Sequence, residues 1–463
     1  MSNTNTYNPS IAELDSILLG QKIHFNHYGN SKMPFACLSA KGISQTFIKI
    51  DGENIGETFE VLDVSGGYGS ACLGASHPVP KQALIRAVEN VGYVTDEIAS
   101  KERSQLLVNL LGPNGLWNQY FPESRYHVSG RNSGSEGMEL ALRLILESRF
   151  DTRNLKYKPG LEERNTILAF EGAWHGWTSG LVPLLNRRHY RIGLPNTSTS
   201  EPYGVKIDHI PFGDSKVLEE YFQEKKDQLL AVIVEPIQGD AGIIIPPEGY
   251  LRHLSGLCQS NETLLVADEV LTFAKTGKYF AMNDKEGHIP TDITVIGKSL
   301  GMGVLSTSMV IARKDLTIRS SGGVSTSDLR PITCAVINDG IQFIEEAKLL
   351  SNAIELGEYI KQLSTELVLQ FPDVYQEARG IGVMHGIELT ERSTAKLAEL
   401  RNCIIRNGVY VEFMAGAGRR SHGKRYIYPT MRIAPALIST EQEIQTVFER
   451  LSTASKEFEG VII

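Results

Sequence analysis

The sequence lacks most of what would tie it to a membrane, a nucleic acid or an oxidising compartment. No apolar run is long enough to cross a bilayer. The opening stretch MSNTNTYNPS has no basic segment followed by an apolar one, so no secretory leader is expected. Cysteine is scarce: the five residues Cys37, Cys72, Cys258, Cys334 and Cys403 are odd in number, far apart, and form no C-x-x-C pair. This argues against a disulfide framework or a zinc site and fits a reducing cytoplasm. A basic excess is also missing. Lys and Arg total 46 against 54 Asp and Glu, a net charge of -8, which disfavours broad nucleic-acid binding. There is no internal repeat and no low-complexity tract. The remaining values, 41% hydrophobic and 22% charged over 463 residues, are those of a globular chain with room for two or more domains.

What is present is a rhythm of short apolar runs. RYHVSG ends at Gly130 and leads into a helical pattern. There Met138, Leu142 and Ile145 form an apolar stripe, and Glu139, Arg143 and Glu147 a charged one. NTILAF (165–170), LLAVIVEP (229–236), TLLVADEV (263–270), DITVIG (292–297) and SMVIA (308–312) follow. They are rich in Val, Ile and Leu without clean alternation, as strands of a parallel sheet buried on both faces read. After Pro331 the spacing predicts a long helix over CAVINDGIQFIEEAKLL, then strands in GVMHGIEL, GVYVEFM and TMRIAP. With the N-terminal segment these predict a smaller α+β domain from both chain ends. The expected division is 1–75 and 333–463 around a large domain at 76–332.

Lys298 sits in TDITVIGKSLGMG, after an apolar run and inside a glycine-rich turn. Gly297-Lys298-Ser299 looks like the end of a P-loop, but that motif needs a glycine where Asp292 stands. The intervening Ile293 to Ile296 would build a strand rather than a loop of donated amides. A lysine held for covalent chemistry fits better. VADEV puts Asp268 at the end of an apolar run, at the strand edge where open α/β sheets bind ligands. A buried aspartate needs a cationic or hydrogen-bonding partner, and a protonated pyridine nitrogen would be one. In SGRNSGSEG, Ser133, Gly134 and Ser135 lie between a strand and a helix, where free amides and hydroxyls at a positive helix end suit a phosphate.

Taken in order, NSGSEGMELALRL, GAWHGWTSG, VIVEPIQGDAG, VADEV, GKSLGMG, STSDLRPITCA and TMRIAPAL resemble the class III aminotransferases. The resemblance covers nearly the whole chain. It implies an α/β fold of the fold type I pyridoxal-phosphate enzymes, with a large domain of mixed, mainly parallel sheet and a smaller α+β domain. It implies pyridoxal 5'-phosphate as cofactor, no metal, and a homodimer with a shared active site. Lys298 would form the Schiff base, and Asp268 would hold the ring nitrogen protonated. Ser133, Gly134 and Ser135 would hold the phosphate, completed by Thr326 of the partner subunit. Trp174 would stack on the ring, with His175 and Val270 beside it; His175 reads as structural rather than as a catalytic base. Arg432 would grip a substrate carboxylate by a two-pronged hydrogen bond. Glu235 and Asp240, in EPIQGDAG, would line the substrate site, and in related enzymes a carboxylate at the second position can neutralise the arginine.

The expected reaction moves an amino group between a small-molecule amino donor and a carbonyl acceptor. An epimerase, aminomutase or decarboxylase on the same fold begins with the same chemistry and stays open at this point. So does a cofactor-binding protein without catalysis, although Lys298 and Asp268 would then have no purpose. Three departures from the family pattern suggest a specialised substrate. Leu271 stands where a glutamine usually bonds the cofactor's ring hydroxyl, and the segment is one residue short. Trp177 replaces an arginine after HG. The stretch AGAGRRSHGKRYIYP (415–429) carries Arg419, Arg420, His422, Lys424 and Arg425. It reads as a contact for an anionic substrate or a carrier protein, or simply as a solvated loop.

Overall fold

The computed structural model describes residues 10–27, 33–151, 153–154, 156–186, 204–317, 322–414, 420–421, 424–425 and 429–462. Three antiparallel strands come first: β1 (Phe35–Lys41), β2 (Ser44–Lys49) and β3 (Thr58–Asp63). The apolar runs then deliver β4 (Tyr126–Arg131), β5 (Thr166–Phe170), β6 (Lys206–Ile210), β7 (Leu229–Val234) and β8 (Leu264–Glu269). A two-residue ribbon, β9 (Asn283–Asp284) with β10 (Gly287–His288), precedes β11 (Ile293–Gly297) and β12 (Ser308–Arg313).

The central sheet has seven strands in the order β4-β12-β11-β8-β7-β5-β6. β11, β8, β7, β5 and β6 run parallel, whereas β12 is antiparallel to both β11 and β4. Every residue of β5, β7 and β11 is buried, because helices pack on both faces. The helix Gly134–Ser148 buries the predicted stripe, including Met138, Leu142 and Ile145. On its outer face Arg143 and Glu147 pair at 2.7 Å. It approaches the sheet closely at Gly137, where an added Cβ would lie 2.8 Å from both Ser308 Oγ and Val295 Cγ1.

The helical stretch after Pro331 is two helices, Pro331–Glu346 and Leu349–Gln370, rather than one. Lys348 breaks it with a left-handed backbone, φ 52°. β13 (Tyr375–Ile381), β14 (Met384–Leu389), β15 (Val409–Tyr410), β16 (Glu412–Met414), β17 (Arg420–Ser421), β18 (Lys424–Arg425) and β19 (Thr430–Ile433) follow. A second sheet orders β13-β14-β19-β16, and β15 joins the N-terminal one beside β3. Of the basic loop, Arg419 and His422 lie outside the described residues; for Arg420, Lys424 and Arg425 only the backbone pairing of β17 with β18 is described. Among the described residues, no helix is long and apolar enough to cross a membrane.

Candidate active site

Asp268 and Lys298 come together because their strands are parallel neighbours. Val295 of β11 sits opposite Asp268 of β8, so both chains leave the sheet at the same carboxyl edge. The Asp268 carboxylate, 5% exposed, accepts from the Val270 amide at 3.1 Å and lies 2.8 Å from Nδ1 of His175. Burial alone would push the His175 pKa down. The hydrogen bond and charge of Asp268, with Glu235 behind, more than reverse this and raise it. His175 thus supports Asp268. Its own Nε2 is buried with no hydrogen-bond partner among the described residues.

Glu235, just past β7, spends its carboxylate on two backbone amides: Trp174 at 2.7 Å and Gly239 at 3.0 Å. Burial pushes it up to about 7, with His175 pulling it down and Asp268 up. The GAWHGW turn is therefore pinned from two strand ends. The rings of Trp174 and Trp177 meet edge to face at 4.9 Å, and Trp177 is 60% exposed.

Lys298 leaves β11 in the left-handed region, φ 46°, which a side chain adopts only under constraint. Burial lowers its amine to about 8, and the charge of Arg432 acts in the same direction; Asp268, Glu235 and Asp240 oppose it. Ser133 caps the helix that follows β4, its Oγ accepting from the Glu136 amide at 3.2 Å, and Glu136 accepts from the Asn132 amide at 2.9 Å. The Ser133–Ser135 turn, the end of β8 and the HGW turn converge tightly. A Cβ on Gly134 would lie 2.6 Å from Val270 Cγ1, and one on Gly176 would lie 2.3 Å from Ser135 Oγ. A helix N-terminus with Ser133 and Ser135, a buried acid and a lysine with lowered basicity face one edge. That donor set fits a phosphorylated pyridine aldehyde.

Thr326 sits on a turn tied to β4 by Asp328, which accepts from Ser129 Oγ and the Gly130 amide, each at 2.6 Å. Among the described residues, Thr326 makes no hydrogen bond to the Ser133–Ser135 turn of its own chain. Leu271 is 8% exposed and packs over Gly239, where an added Cβ would lie 2.0 Å from its Cδ2.

Arg432, on β19 and 5% exposed, stands in register opposite Glu412 of β16, and the two side chains form a buried ion pair. Burial lowers the guanidinium to about 10, opposed first by the charge of Asp240. Asp240 is thus an electrostatic neighbour of Arg432, and Glu412 is paired with it directly. Glu412 also lines a cavity of about 480 Å³ with Tyr68, Tyr410, Phe413 and Arg401. Sequence patterns single out neither Glu412 nor a second buried lysine, Lys275. The signals were there: a lone acid inside the apolar run VYVEFM, and a lysine directly after the mostly apolar LTFA.

The aminotransferase class-III family matches residues 36–454. The mitochondrial ornithine aminotransferase of Arabidopsis thaliana is 30% identical over 349 residues, 74% of this chain and 68% of that one. The ornithine aminotransferase of Bacillus subtilis is 27% identical over 436 residues, 92% of this chain and 95% of its own. In three dimensions the chain overlays on the ornithine aminotransferase of Toxoplasma gondii ME49 with a TM-score of 0.79 at 22% identity, covering 99% of each. For the acetylornithine aminotransferase of Elizabethkingia anophelis the TM-score is 0.72, covering 96% of this chain and 99% of that one. The chain belongs to the class III aminotransferases. It is a pyridoxal-phosphate-dependent transaminase of fold type I, and the epimerase, aminomutase and decarboxylase alternatives are not favoured.

Proposed function

We propose that the enzyme transfers a terminal amino group from a small amino acid or amine, with Lys298 as the cofactor's covalent anchor and proton carrier. Pyridoxal phosphate, when bound, supplies an aldehyde that condenses with amines and a ring that accepts the electron pair freed at the carbon bearing the amine. Asp268, fixed by His175 and the Val270 amide, holds a proton at the ring nitrogen. Ser133, Gly134 and Ser135 receive the phosphate, joined by Thr326 of the partner subunit in a cytoplasmic homodimer. Trp174 covers one face of the ring and excludes water. Lys298, with its proton affinity lowered, moves a proton from the donor carbon that bears the reacting amine and returns it in the reverse half-reaction. Glu235 braces the Trp174 turn, and the divisions near residues 75 and 332 separate the two parts that enclose the cleft.

The observation that carries this reading is the meeting of Asp268 and Lys298 at adjoining strand ends. The terminal-amine part rests on Arg432: its guanidinium already holds Glu412, which disfavours a carboxylate on the reacting carbon. The ornithine aminotransferases among its relatives support the same class. Borohydride reduction of the loaded enzyme, followed by peptide mass analysis, should place the cofactor on Lys298. An unlabelled Lys298 peptide would remove the assignment. Spectral change on mixing with terminal amines and with α-amino acids should be faster for the former; equal rates would sink the terminal-amine part alone.

A further inference from the structure

Lys275 is 3% exposed, yet its ammonium has no carboxylate partner among the described residues. Its Nζ donates to the Leu271 carbonyl and to Ser299 Oγ, both at 2.7 Å. Ser299 is the residue after Lys298. Its hydroxyl also reaches the Gly69 carbonyl at 3.4 Å, and its own carbonyl accepts from Cys72 at 3.2 Å. The charged and titratable groups around Lys275 are Lys298 on the turn after β11, Arg432 on β19 and Cys72 on the 65–72 turn. Burial pushes the Cys72 thiol up to about 11, so it offers no counter-charge at neutral pH. The remaining neighbours are uncharged. A Cβ on Gly69 would lie 3.3 Å from Lys275 Cε, and the Val383 amide donates to the Lys275 carbonyl at 2.9 Å. Burying a cation this way is costly, and a purely structural residue at this position could be apolar.

We propose that Lys275 is a positioning residue for Lys298: through Ser299 it braces the left-handed turn from which Lys298 projects. Burial and the charge of Lys298 together lower Lys275 to about 7, below Lys298 at about 8, so Lys275 is the first of the two to lose its proton. A neutral amine keeps two N–H donors, enough for both the Leu271 carbonyl and Ser299 Oγ. The inference rests on Lys298 being the cofactor's anchor.

The test mixes full-length protein with pyridoxal phosphate and follows the growth of the visible absorption band. Lys275→Met removes both hydrogen bonds and should slow formation of the covalent bond several-fold. Lys275→Arg keeps a donor toward Ser299 and should recover most of that rate. Ser299→Ala keeps the amine but cuts its link to the turn, and it should slow formation of the covalent bond several-fold. Ser299→Ala decides the proposal if Lys275→Met fails to fold. A folded Lys275→Met with the wild-type bonding rate, an equal slowing in Lys275→Arg, or a Ser299→Ala protein with the wild-type bonding rate would each overturn the proposal. Lys298→Ala separates the two readings: if it gains the same band, the anchor assignment itself fails.

Discussion

At the scale of single residues, this site is a collection of buried charges held away from their ordinary proton affinities. Lys298 is the clearest case. Its amine lies at about 8 in the fold against 10.5 when free. A depressed amine pKa gives stability that is complete above pH 10.5 and is lost as pH falls through about 8. Lys298→Ala should therefore make the cofactor-free protein more stable by about 1–3 kcal/mol at pH 7. That gain should shrink steadily as pH rises from 8 toward 10.5. Denaturant titrations of both proteins at several pH values would show this, and a gain independent of pH would contradict it. The same arithmetic explains why Asp268 needs His175 and why Arg432 needs Glu412: each is a buried charge whose removal of a partner leaves the other exposed to the full cost of desolvation.

At the scale of elements, the active-site edge is held by turns rather than by long contacts. The 65–70 turn shows this best. Gly66 has φ 58°, and an added Cβ would lie 2.7 Å from the Ala434 carbonyl, just beyond Arg432. The backbone clasp Ala434 N to Val64 O, 2.7 Å, fixes the approach. Gly66→Ala should cost roughly 2 kcal/mol or more, through both the backbone region and the contact. Gly20→Ala is the matched control. It lies in the helix Ile11–Ile23 with nothing within 4 Å, and should be neutral or stabilising by up to about 1 kcal/mol. Thermal unfolding of the two variants checks the contrast; similar behaviour would mean that the 64–66 and 434 segments can separate freely.

At the scale of the whole molecule, the proposed sharing of Thr326 between subunits makes a prediction about mixtures. Lys298→Ala and Thr326→Ala proteins should each be impaired alone. Unfolded together and refolded as a mixture, they form heterodimers in which one site carries both intact residues. Activity should then return toward about a quarter of the wild type, the random-assortment share for a symmetric two-site dimer. If Thr326 serves its own chain, no mixed site is intact and the mixture should show no gain over the Thr326→Ala protein alone.

Much of this was legible along the chain, for reasons that differ by residue. β5, β7, β8 and β11 announced themselves because strands buried on both faces must be apolar throughout. Asp268 and Lys298 stood out because each breaks such a run at its carboxyl end. The antiparallel direction of β12 was not readable: a buried strand has the same composition whichever way it runs. The break at Lys348 was hidden because a left-handed residue need not be glycine when packing holds it. Glu412 opposite Arg432 and Lys275 beneath Ser299 depend on strand register and on turns closing across 20 or more residues. Composition and spacing along one segment set what each segment can become. Only the closed structure decides which distant charge each buried group will meet, because that choice is made by the backbone hydrogen bonds that join the segments.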